Sequence, residues 1–341
     1  MSRKLFPLSL TATLLAGTAM AEVPKVVADI TPVHSLVARV MEGIGSPALI
    51  VQQGASPHEY SLRPSEASAL QEADIVFWMG EGLEPWLESA IETLAADANV
   101  TELMETDGIT LLGFREGALF EKHVHGGGEH HDDHAEGEDH DHDHEEHAEG
   151  EDHDHDHEEH AEGEHHEHHD HGSHDPHAWL SPGNAATWLN VIAAELSSAD
   201  PDNAGTYFAN AAAARAELDT VSAEVKATLD PVKGGRFIVF HDAYQYFETA
   251  YDFPASGSIS LSDASDPSPA RIAEVQARVR DEGIECILSE PQFNPGLVAA
   301  VMEGTKARTT VLDPLGSDLE PGPNLYPQLL RNLATSLAGC F

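Results

Sequence analysis

The sequence predicts an α/β protein with two lobes, each a parallel sheet covered by helices, joined by one long helix. Three observations carry this reading. Short β-branched runs alternate with helical periodicities over residues 23–114 and again over 236–339; this is the pattern of βα units and hence of parallel sheets. Between them, 201–230 holds apolar residues at helical spacing with no internal proline after Pro201. The third observation is a block at 121–175 that is too polar to belong to either lobe.

The elements follow in order. Residues 23–30 read as a strand, and TPVHSLVARVMEGIG as a helix with a Thr31 cap, Pro32 in its first turn and a glycine stop. ALIVQ (48–52) is a strand, followed by the loop GASPHEYSLRPS. A helix over 65–73, a strand over 74–80 and the helix LEPWLESAIETLAA complete the alternation, and VTELMETDGITLLGF closes the region as irregular strands. After the polar block, Ser181-Pro182 starts an amphipathic helix that runs to about Ser198. Residues 201–230 form the long helix, with an aspartate cap. The second alternation begins with strand 236–240, helix YQYFETAY, strand SISL and helix SPARIAEVQARVRDEG. Strand IECILSEP, helix NPGLVAAVMEG, strand RTTVLDP and helix NLYPQLLRNLATSLAG end it. The expected divisions are 1–21, 22–200 for the first lobe, 201–230 for the linker helix and 231–341 for the second lobe.

Residues 1–21 read as a cleaved signal peptide. Arg3 and Lys4 precede the apolar run 5–15, and Ala19-Met20-Ala21 fits a small-x-small cleavage site. The run is shorter than the about 20 residues a bilayer span needs. The expectation is export to the periplasm, with no other membrane segment. Export makes a disulfide between Cys286 and Cys340 plausible; two free thiols are the alternative.

Of 23 histidines, 20 lie between His123 and His177. HAEGEDHDHDHEE occurs at 134–146 and again, unchanged, at 147–159, so His140, His142 and His144 return as His153, His155 and His157. Such a tract cannot build a core and is expected to be disordered without metal. Its many imidazoles on a flexible loop suit weak, exchangeable binding of a transition metal: a collector or buffer, not a unique tight site. Between Glu121 and Asp175 there are 23 acids and one lysine, about half of the net charge of −43. The remainder is still acidic, which argues against nucleic acid as a partner and for cations.

The histidines outside the tract are the candidates for a defined site. His58 lies in the loop after strand 48–52, His241 directly after strand 236–240, and Asp313 directly after strand 308–312. Ligands of open α/β sheets sit beyond the carboxyl ends of strands. His177 follows the tract in DPHAWLSP. Drawn from both lobes, these residues place a site in the cleft between them. Three imidazoles plus one further donor make a tetrahedral zinc site; Asp313, Glu59 or water could be the fourth. His34, on an apolar helix face among Val33, Leu36 and Val37, reads as packing, as do Trp78, Trp86, Trp179 and Trp188.

The motifs GASPHEYSLRPS, ADIVFWMGEGLEPWL, the His/Asp-rich insert, DPHAWLSP, IVFHDAYQYFETAYDF, SEPQF and VLDPLG, in this order, resemble the zinc-specific substrate-binding proteins of bacterial ABC transporters. The resemblance covers essentially all of the mature chain. It implies two Rossmann-like lobes joined by a rigid helix, a metal in the cleft and hand-over to a membrane permease. It carries the zinc-ligand role to His58, His177 and His241, and matches Asp313 to an acid that completes the site in some relatives. Some relatives have a glutamate where this chain has Pro57, which leaves water or Asp313 as the fourth ligand. The cysteine pair matches one bridged in some relatives. The expected function is zinc capture by a monomer, without catalysis. A zinc-dependent hydrolase and a buffer whose working part is the tract are the rivals; HExxH is absent.

Overall fold

Apolar runs buried on both faces, at Val26–Ala28, Ile75–Trp78, Phe237–His241 and Cys286–Ser289, form the middle of two four-stranded parallel sheets covered by helices. The computed structural model describes residues 23–115, 117, 120, 174–260 and 267–341. The expected signal peptide and the histidine pairs of the tract repeat, His140 to His157, lie outside the described residues.

The first sheet holds β1 (Val26–Ala28), β2 (Ala48–Leu49), β3 (Ile75–Trp78) and β4 (Asn99–Glu102). Its order is β2-β1-β3-β4, and every pairing is parallel. Helices α1 (Thr31–Val40), α2 (Pro64–Gln71) and α3 (Pro85–Leu94) connect these strands. The second sheet repeats the order with β5 (Phe237–His241), β6 (Ser258–Ser260), β7 (Cys286–Ser289) and β8 (Arg308–Val311), as β6-β5-β7-β8, again all parallel. Its helices are α6 (Gln245–Tyr251), α7 (Pro269–Asp281) and α8 (Pro295–Met302).

Between the sheets run α4 (Pro182–Ala199) and α5 (Ala204–Leu229). The 26 residues of α5 give a rod roughly 39 Å long at about 1.5 Å per residue. Its buried residues, Tyr207, Ala211, Ala214, Leu218, Val221, Val225 and Leu229, recur every three or four positions and form one stripe. That stripe packs on α4 and on the C-terminal helix α9 (Leu325–Gly339), which also touches α1. One apolar cluster therefore runs from β1 and β3 through α4 and α5 to β5 and α9. Alternation along β5 divides its side chains. Phe237 and Val239 join this cluster, whereas Ile238 and Phe240 face a second one with Val275 and Val279 of α7 and Val298 and Val301 of α8.

Two expected helix caps are corrected. Thr31 is the first residue of α1 and Ile30 its N-cap; the Thr31 hydroxyl instead donates to the Leu315 carbonyl at 2.5 Å, a tie to the second lobe. Asp202 lies in a short 3-10 turn, and α5 starts after Asn203 without a side-chain cap. Cys286 of β7 and Cys340, just past α9, form a disulfide with Cα atoms 6.0 Å apart. His34 packs in α1 and its Nε2 lies 3.2 Å from the Pro47 carbonyl. Among the described residues no helix is long and apolar enough to cross a membrane.

Candidate metal centre

His58 is held through its backbone. The indole Nε1 of Trp86, in α3, donates to the Pro57 carbonyl at 2.6 Å, and the His58 N–H donates to Ser56 Oγ at 3.3 Å. Glu66 fixes the far end of the loop: it accepts from the Tyr60 hydroxyl at 2.8 Å and the Arg63 N–H at 2.7 Å, capping α2.

His177 and His241 are held by their rings. His241 is the last residue of β5 and, by alternation, shares the face of Phe237 and Val239. Its Nδ1 lies 2.9 Å and 2.8 Å from the two carboxylate oxygens of Glu290, just beyond β7. His177 Nδ1 lies 2.7 Å from Asp175 Oδ1, which also accepts the His177 N–H at 3.0 Å. A carboxylate on Nδ1 keeps the proton there and leaves the Nε2 lone pair for a metal.

The three Nε2-bearing edges converge. His177 Nε2 is 3.3 Å from His58 Nε2 and 3.3 Å from His241 Nε2, and one ligand atom from each histidine lies within 4.8 Å of the others. Two nitrogens bound to one tetrahedral zinc at about 2.05 Å would stand about 3.3 Å apart. Lone pairs at that separation repel one another, and a dication among them removes the repulsion. Trp179, Phe293, Pro314 and Leu315 wall the pocket with apolar surface, which lowers the local dielectric around the ligand atoms. Burial pushes the Asp175 carboxyl up to about 7, offset by the His177 N–H and the charge of Arg115.

The structure brings together His58, His177 and His241, and Asp313 is not in this group. The Asp313 carboxylate accepts from the N–H groups of Leu315, Gly316 and Ser317 at 3.0, 3.1 and 2.5 Å, and from Gln292 Nε2 at 3.3 Å. It caps the turn after β8, where Gly316 adopts a positive φ of 71°. Glu59, beside His58, is exposed. The sequence does not single out Asp175 or Glu290. The available signal is position: one lies two residues before a histidine, the other directly past a strand end.

Residues 26–340 match the family model described as zinc-uptake complex component A, periplasmic. The high-affinity zinc uptake system protein ZnuA of Brucella abortus (strain 2308) is 46% identical over 342 residues, covering 99% of each chain. Its counterpart in Paracoccus denitrificans (strain Pd 1222) is 45% identical over 98% of each. A crystal structure of ZnuA superposes with a TM-score of 0.68 at 22% identity, covering 94% of this chain and 99% of that one. The manganese-bound solute-binding protein FpvC of Pseudomonas aeruginosa superposes at 0.70 and 19% identity, covering 94% and 98%. At such identities these two structures speak for the fold.

Proposed function

The chain belongs to the family of periplasmic zinc-uptake complex component A, and from that membership we propose that His58, His177 and His241 bind one zinc ion as cargo for an ABC permease. The observation that supports this most is the pair of 3.3 Å Nε2 separations among imidazoles of which two have Nδ1 on a buried carboxylate. Three neutral imidazoles suit zinc better than manganese, which prefers harder oxygen donors. The fourth position falls to water, because four hydrogen bonds already engage the Asp313 carboxylate. The family's task is to bind and release, not to catalyse.

The same reading includes cleavage after Ala21, a periplasmic location and action as a monomer. The tract around His140, His142, His144, His153, His155 and His157 serves as an auxiliary, weaker collector. Competition titration of zinc against a chelator tests the assignment. The mature chain should show one tight site, each of His58→Ala, His177→Ala and His241→Ala should weaken it strongly, and deletion of 121–170 should leave it in place. Tight binding unchanged in all three variants refutes the ligand set. Tight binding lost with the deletion moves the function to the tract.

A further inference from the structure

The insert leaves the first lobe at 112–115 and returns at His174 and Asp175. The two stems pair: Gly113 and His174 form an antiparallel bridge, and the Asp175 N–H donates to the Leu112 carbonyl at 2.8 Å. Both stems are also tied to α6 of the second lobe. The Tyr246 hydroxyl accepts the Leu112 N–H at 3.0 Å and donates to the Asp175 carbonyl at 2.9 Å.

Arg115 makes the strongest tie. Its Nε lies 2.9 and 3.1 Å from the two oxygens of Asp242, the residue after His241. Its Nη atoms reach the two oxygens of Glu248 in α6 at 2.7 and 3.1 Å, and Nη2 also bonds Asp242. The side chain is 16% exposed, against 9% for Asp242 and 5% for Glu248, and its guanidinium carbon lies 3.6 Å over the Phe120 ring. A planar fork with five donors can hold two carboxylates at once; a lysine ammonium has no such geometry. Burial pushes both acids up, and the guanidinium opposes that rise.

We propose that Arg115 is a positioning residue for zinc retention: from the insert stem it straps the His241–Asp242 turn and α6 to the paired stem that carries Asp175, and so holds His177 and His241 at meeting distance. The inference rests on the three-histidine reading above. One stem reaches a ligand through Asp242, its neighbour in sequence. The other reaches a ligand through Asp175, which orients His177. Opening the cleft must break this strap, so the strap belongs to the barrier for metal release rather than to metal capture.

Three roles give three different results. If Arg115 retains zinc, Arg115→Gln raises the dissociation rate about tenfold, the low end of what partners that orient metal ligands contribute to affinity, and moves the association rate by no more than about threefold. If its charge only repels the cation, removal leaves Asp242 and Glu248 uncompensated near the site, and dissociation slows. If it only stabilises the fold, melting falls and the dissociation rate stays at the parent value. The last two results overturn the proposal. The measurement is stopped-flow release of zinc from the full mature chain into excess chromophoric chelator. Arg115→Lys should fall between parent and Arg115→Gln. Tyr246→Phe removes the second tie without stranding a buried charge, and should raise the rate about threefold; it decides the matter if Arg115→Gln does not fold. Tight binding by the parent and its loss in His177→Ala are measured alongside, so a failed ligand assignment is distinguished from a failed strap.

Discussion

The two lobes place different chemistry at the same point of one topology. In each, the second strand in sequence lies at an edge, the first next to it, then the third and fourth. In the second lobe the first strand, β5, ends in His241, whose ring meets Glu290 from beyond the third strand. In the first lobe β1 is followed by Asp29, which is 1% exposed and faces Glu84, fully buried, from the loop beyond β3. An imidazole against a carboxylate keeps one nitrogen available to a metal. Two carboxyls in the same arrangement share a low-dielectric site that cannot hold two negative charges, so one keeps a proton and neither is offered to a cation. The first lobe supplies its histidines elsewhere, His58 from the loop after the edge strand β2 and His177 from the segment before α4. The topology thus offers the position, and the residue type decides whether it binds or only packs.

Ligand removal should break the comparison most sharply. His241→Ala and His177→Ala should each weaken zinc binding by on the order of 100- to 1,000-fold, one donor's share of the roughly 10–16 kcal/mol of a structural zinc site. His58→Ala should cost less than either, because His58 is half-buried while His177 and His241 are 6% and 5% exposed. Chelator competition reads all three, and His58→Ala as the most damaging of them would contradict the idea that the ring-anchored pair is the fixed edge of the site.

Replacing a support should cost less than replacing a ligand. Glu290→Gln keeps the size but weakens the hold on His241 Nδ1, with an expected loss of about 10- to 100-fold in affinity. Trp86→Phe removes the N–H that holds the Pro57 carbonyl, and about 1 kcal/mol, or roughly fivefold, is expected from one hydrogen bond. Equal losses in the two variants would erase the distinction between ring support and backbone support.

The sheets, their helices and the long rod were legible because period-2 and period-3.6 patterns directly reflect burial. β3, IVFW, is buried at every residue, and α5 has a single stripe. His58 and His241 stood out because histidine outside the tract is rare and strand ends are where sites form, and His177 because it follows the tract in DPHAWLSP. The partners of these residues were less visible. Nothing local distinguishes Asp175 from the many acids just before it, and Glu290 meets His241 only across 49 residues. Asp313 shares the position of a ligand, but the turn after it bends its backbone N–H groups onto the carboxylate. Arg115 acts over 127 and 133 residues on Asp242 and Glu248, a link no local pattern encodes.

The acid pair of the first lobe should leave zinc affinity alone and show only in stability. Burial first, and then the charge of Asp29, push the Glu84 carboxyl well above its ordinary range. Burial likewise raises Asp29 to about 6, partly offset by the Glu84 side chain and the N–H groups of Ile30 and Met79. A raised carboxyl makes the folded chain hold more protons than the unfolded one above the ordinary carboxylate range. The stabilisation is therefore complete at low pH and falls as pH rises through the folded value. Glu84→Gln is neutral at every pH and removes the Glu84 share of this decline. The variant should match the parent near pH 4.5 and exceed it at pH 8. Denaturant melts of the metal-free chain across that range read the difference. Parallel curves for parent and variant would mean that the pair does not share a proton, and that the first lobe's strand end is not the silent counterpart of His241 and Glu290.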